Sequence, residues 1–219
     1  LPEFADFTFA EKLYMGLANV ERIFIAELDP VYCVVAAVLV LLVYRKTGDY
    51  RKTLLAGIPA LLLFGQAVVR VSHPSLKKVF VRPEQTTHWD WHALVTYMPL
   101  VFLVLSVWGI LYALWQLADG VWKHYLWTAF LLAGGFAMGV VMGFSPTIYA
   151  SANRPYLYLY FVLIYVCADA VWNMGGMKAV WKTGSSDAVR KMPVPEKLMF
   201  TVLGLLVLAN ILDVTRMCW

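Results

Sequence analysis

"ALVTYMPLVFLVLSVWGILYALWQL", Ala93 to Leu117, contains no charged side chain. About 20 apolar residues in a helix cross the hydrocarbon core of a bilayer, so this run is long enough for one span. It lacks the alternation of apolar and polar residues that a transmembrane strand needs. A helix is then the way for its backbone to satisfy its hydrogen bonds in lipid. Similar runs recur, and spans are predicted near 30–45, 53–71, 93–117, 124–145, 156–177 and 197–216. The first reaches bilayer thickness only if residues 24–29 continue it. Ahead of them, residues 7–28 carry Phe7, Phe9, Leu13, Leu17, Val20, Phe24 and Leu28 at helical spacing, with Glu11, Lys12, Glu21 and Arg22 interspersed. That pattern predicts an amphipathic helix lying at the membrane surface or leading into the first span, with Asp29-Pro30 as its boundary. The expected fold class is all-α: a polytopic helical membrane protein, one membrane domain over 1–219.

Composition agrees. The 219 residues are 61% hydrophobic and 15% charged, with mean hydropathy +0.68. A soluble domain carries about 25% charged residues, so an ordinary soluble domain is excluded. The net charge of +4 is small and the basic residues gather by connector, which suits membrane orientation and argues against a nucleic-acid partner. Arg45, Lys46, Arg51 and Lys52 fall in the first connector; Lys178, Lys182, Arg190, Lys191 and Lys197 fall in or beside the fifth. The positive-inside rule then puts loops 45–52 and 178–197 on the cytoplasmic side of an inner membrane, with loops 72–92 and 146–155 extracytoplasmic. The acidic N-terminal segment agrees with this orientation, while Lys77, Lys78 and Arg82 pull the other way. Cys33, Cys167 and Cys218 are isolated and read as small buried hydrophobes. The opening residues lack a signal-peptide pattern and read as a trimmed chain, a processed chain or part of a longer one.

One connector is richer in polar groups than a turn requires. "GFSPTIYASANRPY", Gly143 to Tyr156, offers Ser145, Thr147, Tyr149, Ser151, Asn153 and Arg154 between two apolar runs. Turn chemistry is one reading: Ser and Asn cap the next helix, and Pro146 and Pro155 stiffen the ends. A phosphate site is the other, since the planar fork of Arg154 can donate two parallel hydrogen bonds at a helix start. A plain lipid headgroup would suit the same Arg. Gly135, Gly139 and Gly143, four residues apart, would line one helix face and let a neighbouring backbone approach, holding the loop rigidly. Tyr156, Tyr158, Tyr160 and Tyr165 suit a sugar or lipid groove, or for the first two an interfacial aromatic belt.

"FSPTIYASANRPYLYLYFVLI", Phe144 to Ile164, resembles a loop-plus-helix segment of bacterial GT-C-like membrane glycosyltransferases and related membrane families. In these, a Ser-Pro motif is followed by an Arg that opens an apolar helix. The resemblance covers roughly twenty residues. It implies a polyprenyl-phosphate-linked sugar as substrate at an extracytoplasmic loop, with Ser145, Tyr149, Asn153 and Arg154 as binding residues. The catalytic acid of such enzymes has no recognisable motif here around Glu27 or Asp29. The resemblance therefore implies either a departure from the family's chemistry or the later half of such an enzyme.

Other residues carry weaker expectations. His88 and His92 in "TTHWDWHAL" stand four apart, as a divalent transition metal would want on a helix, with His73 and Asp90 nearby. The same stretch reads as a Thr-capped helix anchored by Trp89 and Trp91. No other cofactor is indicated; haem ligation by His73, His92 or His124 lacks a pair at matching depth. Intramembrane polar residues attract functional suspicion, chiefly Arg70 and Asp169, then Asn210 and Asp213. Asp169, nearest a span centre, needs a proton, a partner such as Arg70, Arg154 or Asn173, or a wet cavity. Two further functions follow: a non-enzymatic subunit whose glycine face and amphipathic helix dock partner membrane chains, and a small-solute transporter using Asp169.

Overall fold

The computed structural model describes residues 4–72, 94–118, 120–146 and 156–173, and among them there are helices and turns but no strand. The described residues form seven α-helices, in order α1 Phe9–Glu21, α2 Pro30–Thr47, α3 Tyr50–Ala56, α4 Ile58–Ser72, α5 Leu94–Leu117, α6 Trp122–Val141 and α7 Leu157–Asn173. Among the described residues, three helical stretches are long and apolar enough to cross a membrane: Pro30–Thr47, Thr96–Leu117 and Trp122–Phe144. The bent pair α3–α4 makes a fourth if counted as one span. Helix α7 is apolar but shorter in its described part. The predicted span 197–216, and the last residues of 156–177, lie outside the described residues.

Local chemistry explains where these helices start and stop. Thr8 and Glu11 form a reciprocal capping box on α1, with the Thr8 N–H donating to Glu11 Oε2 at 2.7 Å. Asp29 caps α2 by accepting from the Tyr32 N–H at 2.9 Å, ahead of Pro30 in the first turn. Gly48 ends α2 with φ +60, a left-handed conformation that costs a glycine little. Asp49 then caps α3 through the Arg51 N–H.

The span expected over 53–71 is not straight. Helices α3 and α4 meet at a 62° bend around Gly57. Pro59 has no N–H to give the α3 carbonyls and disfavours helical geometry at Ile58, so the ladder is interrupted there despite unbroken hydropathy. Helix α5 fits the break: a Cβ placed on Gly109 would lie 2.5 Å from Pro59 Cδ.

The helices run back and forth between two ends. At the first end, Tyr14 of α1 donates to the Thr96 carbonyl at the start of α5, and Tyr160 near the start of α7 donates to Asp29 at the start of α2. At the second, Lys46 at the end of α2 donates to the Leu117 carbonyl at the end of α5, and His124 of α6 pairs with Asp169 of α7. Between them lies a core that includes Val35, Leu39, Leu42, Leu132, Leu159 and Leu163.

Helix α1 is packed across the first end, against the beginning of α5 and the end of α6. Beyond Glu21 the backbone widens to a π-turn, Arg22–Ala26, with the Glu27 N–H reaching back to the Arg22 carbonyl. The widened turn delivers Ile23, Phe24, Ile25 and Ala26 into the core. Phe24 contacts Tyr32, Tyr156 and Tyr160, with ring centroids 5.9, 6.0 and 5.1 Å away.

Candidate functional site

Polar residues of the first end form two hydrogen-bonded groups. Asn19 Nδ2 donates to the Tyr156 hydroxyl, and Arg22 Nε donates to Asn19 Oδ1 at 3.1 Å. Arg22 also lies 3.8 Å from a Glu27 carboxylate oxygen. The Tyr160 hydroxyl donates to Asp29 Oδ2 at 2.7 Å. Burial pushes the Asp29 carboxyl up from its ordinary value, and the hydrogen bonds from the Tyr32 backbone and Tyr160 pull it back.

Glu21 differs from its neighbours. It is only 2% exposed and has no hydrogen-bond or ion-pair partner among the described residues. Burial alone pushes its carboxyl up to about 8, so it is largely uncharged at neutral pH. The polar face expected of a surface helix therefore ends before Glu21. Tyr14, Leu17 and Glu21 share one side of α1 by their spacing, and that side is turned inward at Tyr14 and Glu21.

Glycine makes the docking of α1 possible. A Cβ on Gly16 would strike the Val140 carbonyl, and one on Gly143 would strike the Lys12 carbonyl and the Gly16 backbone. At Gly135 the obstacle would be Leu159 Cδ1 at 2.8 Å, and at Gly139 it would be Val20 Cγ2 at 2.7 Å. The glycine face is thus filled from within the chain, by α1 and α7.

Of the expected loop residues, the structure describes Ser145, whose N–H donates to the Met142 carbonyl as the chain leaves a 3-10 turn. Tyr149, Asn153 and Arg154 lie outside the described residues, as do His88, His92, His73, Asp90, Asn210 and Asp213. Arg70 sits in the last turns of α4, and its side chain also falls outside what is described. Among the described residues no group of three His, Cys, Asp or Glu side chains gathers as a metal site would.

Two expectations change. Tyr156 and Tyr160 are buried and do not open to a groove, while Tyr158 and Tyr165 are exposed. Asp169 lies toward the second end, where its Oδ2 is 2.8 Å from His124 Nε2. That partner comes from α6, the neighbouring helix. Thr128, Tyr125 and this pair border a cavity of about 20 Å³, room for a single water.

The sequence reading does not single out Asn19, and takes Glu21 and Arg22 only as polar positions interspersed in an amphipathic helix. The available signal was Glu21 itself, which follows Val20 and precedes the apolar run Ile23-Phe24-Ile25. No protein family, curated protein or solved structure matches this chain.

Proposed function

We propose that this is a membrane-embedded, glycosyltransferase-like protein, or part of one, that binds a polyprenyl-phosphate-linked sugar at the 145–155 loop. One observation carries the reading: both anchors of that loop are held by α1. Gly143, two residues before Ser145, packs on the α1 backbone, and Tyr156, two residues after Arg154, accepts a hydrogen bond from Asn19. A loop tethered at both ends loses less conformational freedom on binding, which favours affinity for a charged headgroup. Arg154 supplies the bidentate donor, with Ser145, Tyr149 and Asn153 as its neighbours in sequence.

The proposal includes six spans in an inner membrane, with the loop facing away from the cytoplasm. Arg45, Lys46, Arg51 and Lys52 gather at the end opposite the α1 cluster, which supports that orientation. Binding of a polyprenyl-phosphate sugar to purified protein tests the site. Arg154→Ala should weaken it at least tenfold while helical content and melting stay unchanged, and undiminished binding in the variant would sink the assignment.

A further inference from the structure

Helix α1 is held down by contacts that admit no intermediate spacing. Where it crosses the end of α6, Gly16 lies against the Val140 carbonyl and Gly143 against the Lys12 carbonyl, backbone on backbone. Val20 fills the space over Gly139, and the Tyr14 hydroxyl donates to the Thr96 carbonyl of α5. Glu21 is the last residue of this docked helix, 2% exposed and without a hydrogen-bond or ion-pair partner among the described residues. The titratable groups around it are engaged elsewhere. On α1 itself Glu11 closes the capping box and Lys12 lies over the Phe4 ring, while Arg22 holds Asn19 beside Glu27. On α7 Tyr156 accepts from Asn19, and Tyr160 donates to Asp29 of α2, whose Tyr32 bonds Ser106. Helix α5 adds Tyr97 near its start, and Lys123, His124 and Tyr125 of α6 belong to the second end.

We propose that Glu21 is a proton-binding site that governs the docking of α1: with its proton in place α1 lies on the bundle, and loss of that proton to solvent releases α1 as an arm turning about Arg22. A buried carboxylate needs a partner or water, and the docked interface offers Glu21 neither. Backbones already in contact at Gly16 and Gly143 cannot loosen by degrees, so the charge reaches water when the helix lifts. The joint is built in. Ile23 to Ala26 are buried and Phe24 packs among Tyr32, Tyr156 and Tyr160, which anchors the π-turn to the core. The α-helical ladder ends just ahead of it: the Arg22 N–H still bonds the Ala18 carbonyl, but the Arg22 carbonyl takes the Glu27 N–H, five residues on. Burial lifts the Glu21 carboxyl from 4.5 to about 8, and a released α1 returns it to solvent. The released form therefore gains about tenfold over the docked form for each pH unit across that window, and no more above it.

Maleimide labelling of the whole chain in mild detergent, read peptide by peptide in a mass spectrometer, tests the switch. Met15→Cys places a thiol where α1 is 2% exposed, and Phe9→Cys gives the reference rate of an exposed thiol on the same helix. From pH 5.5 to 7.5 the ratio of the first rate to the second should rise about tenfold per pH unit, as one proton requires. With Glu21→Gln added the ratio should stay flat. The native Cys167, buried in the core, should label at least tenfold more slowly than position 15 throughout, because the bundle stays closed. A flat ratio with Glu21 present, the same rise with Glu21→Gln, or equal rates at positions 15 and 167 overturns the proposal. Should Met15→Cys not fold, Val20→Cys, close in size to the residue it replaces and equally buried, carries the same three readings. The switch does not rest on what the 145–155 loop binds: Arg154→Ala should leave the labelling profile as it is.

Discussion

Glu21 is where a single residue has the clearest consequence. Its carboxyl is raised from 4.5 to about 8 by burial, without a partner to offset it. Below pH 4.5 folded and unfolded chains both hold the proton, and Glu21 takes nothing from stability. Between 4.5 and about 8 the unfolded chain releases the proton while the folded chain keeps it, so stability falls as pH rises through that window. Melting temperature in detergent should therefore decline from about pH 5 to about pH 8, and Glu21→Gln should flatten the decline because its amide does not ionise. Identical pH profiles for wild type and variant would falsify this account. The sequence hinted at such a position only through its neighbours. A Glu in an amphipathic helix is ordinarily solvated, and its burial comes from tertiary packing of α1 that periodicity does not encode.

At the level of elements, the glycines rank the cost of substitution. Gly16→Ala and Gly143→Ala push a methyl group into backbone, which cannot step aside without moving a helix. Each should cost about 3 kcal/mol or more, the upper range for an overpacked site. Gly135→Ala meets only the tip of Leu159 and should cost about 1 kcal/mol. Chemical denaturation of the three variants checks the order, and equal effects would remove α1 docking as the reason for these glycines. The four-residue glycine spacing was legible in sequence because it lies on one helix face, but the helix filling it was not: Gly16 lies more than a hundred residues away. Apolar runs were legible for a simpler reason. Lipid solvates no bare backbone group, so hydropathy alone carries the signal at Pro30–Thr47, Leu94–Leu117 and Trp122–Val141. It carried no signal of the bend at Gly57, because Pro59 breaks the ladder without adding polarity. Nor did it pair His124 with Asp169, which are distant in sequence and meet only when α6 and α7 stand side by side.

The whole molecule has two chemically different ends. One holds Asn19, Glu21, Arg22, Glu27 and Asp29; the other holds Arg45, Lys46, Arg51 and Lys52. Cysteines at Phe9 and at Lys52, both exposed positions, should accordingly react with a membrane-impermeant maleimide from opposite sides of intact vesicles. Labelling of both from one side would refute the bundle as a spanning unit. The N-terminal helix was legible as amphipathic, but its place over the bundle was not, since that depends on close approaches that periodicity does not encode.

The clamp on the 145–155 loop also has a consequence in time. Asn19 and Tyr156 are 137 residues apart, and Asp29 and Tyr160 are 131 apart. At ribosomal rates of about 5–20 residues per second, α1 waits on the order of 10 s before its last docking partner has been made. Through that interval Glu21 has no burial to hold its proton and is ionised at neutral pH. Closing α1 over the finished bundle is then coupled to proton uptake, the same linkage that lowers stability as pH rises from 4.5 to about 8.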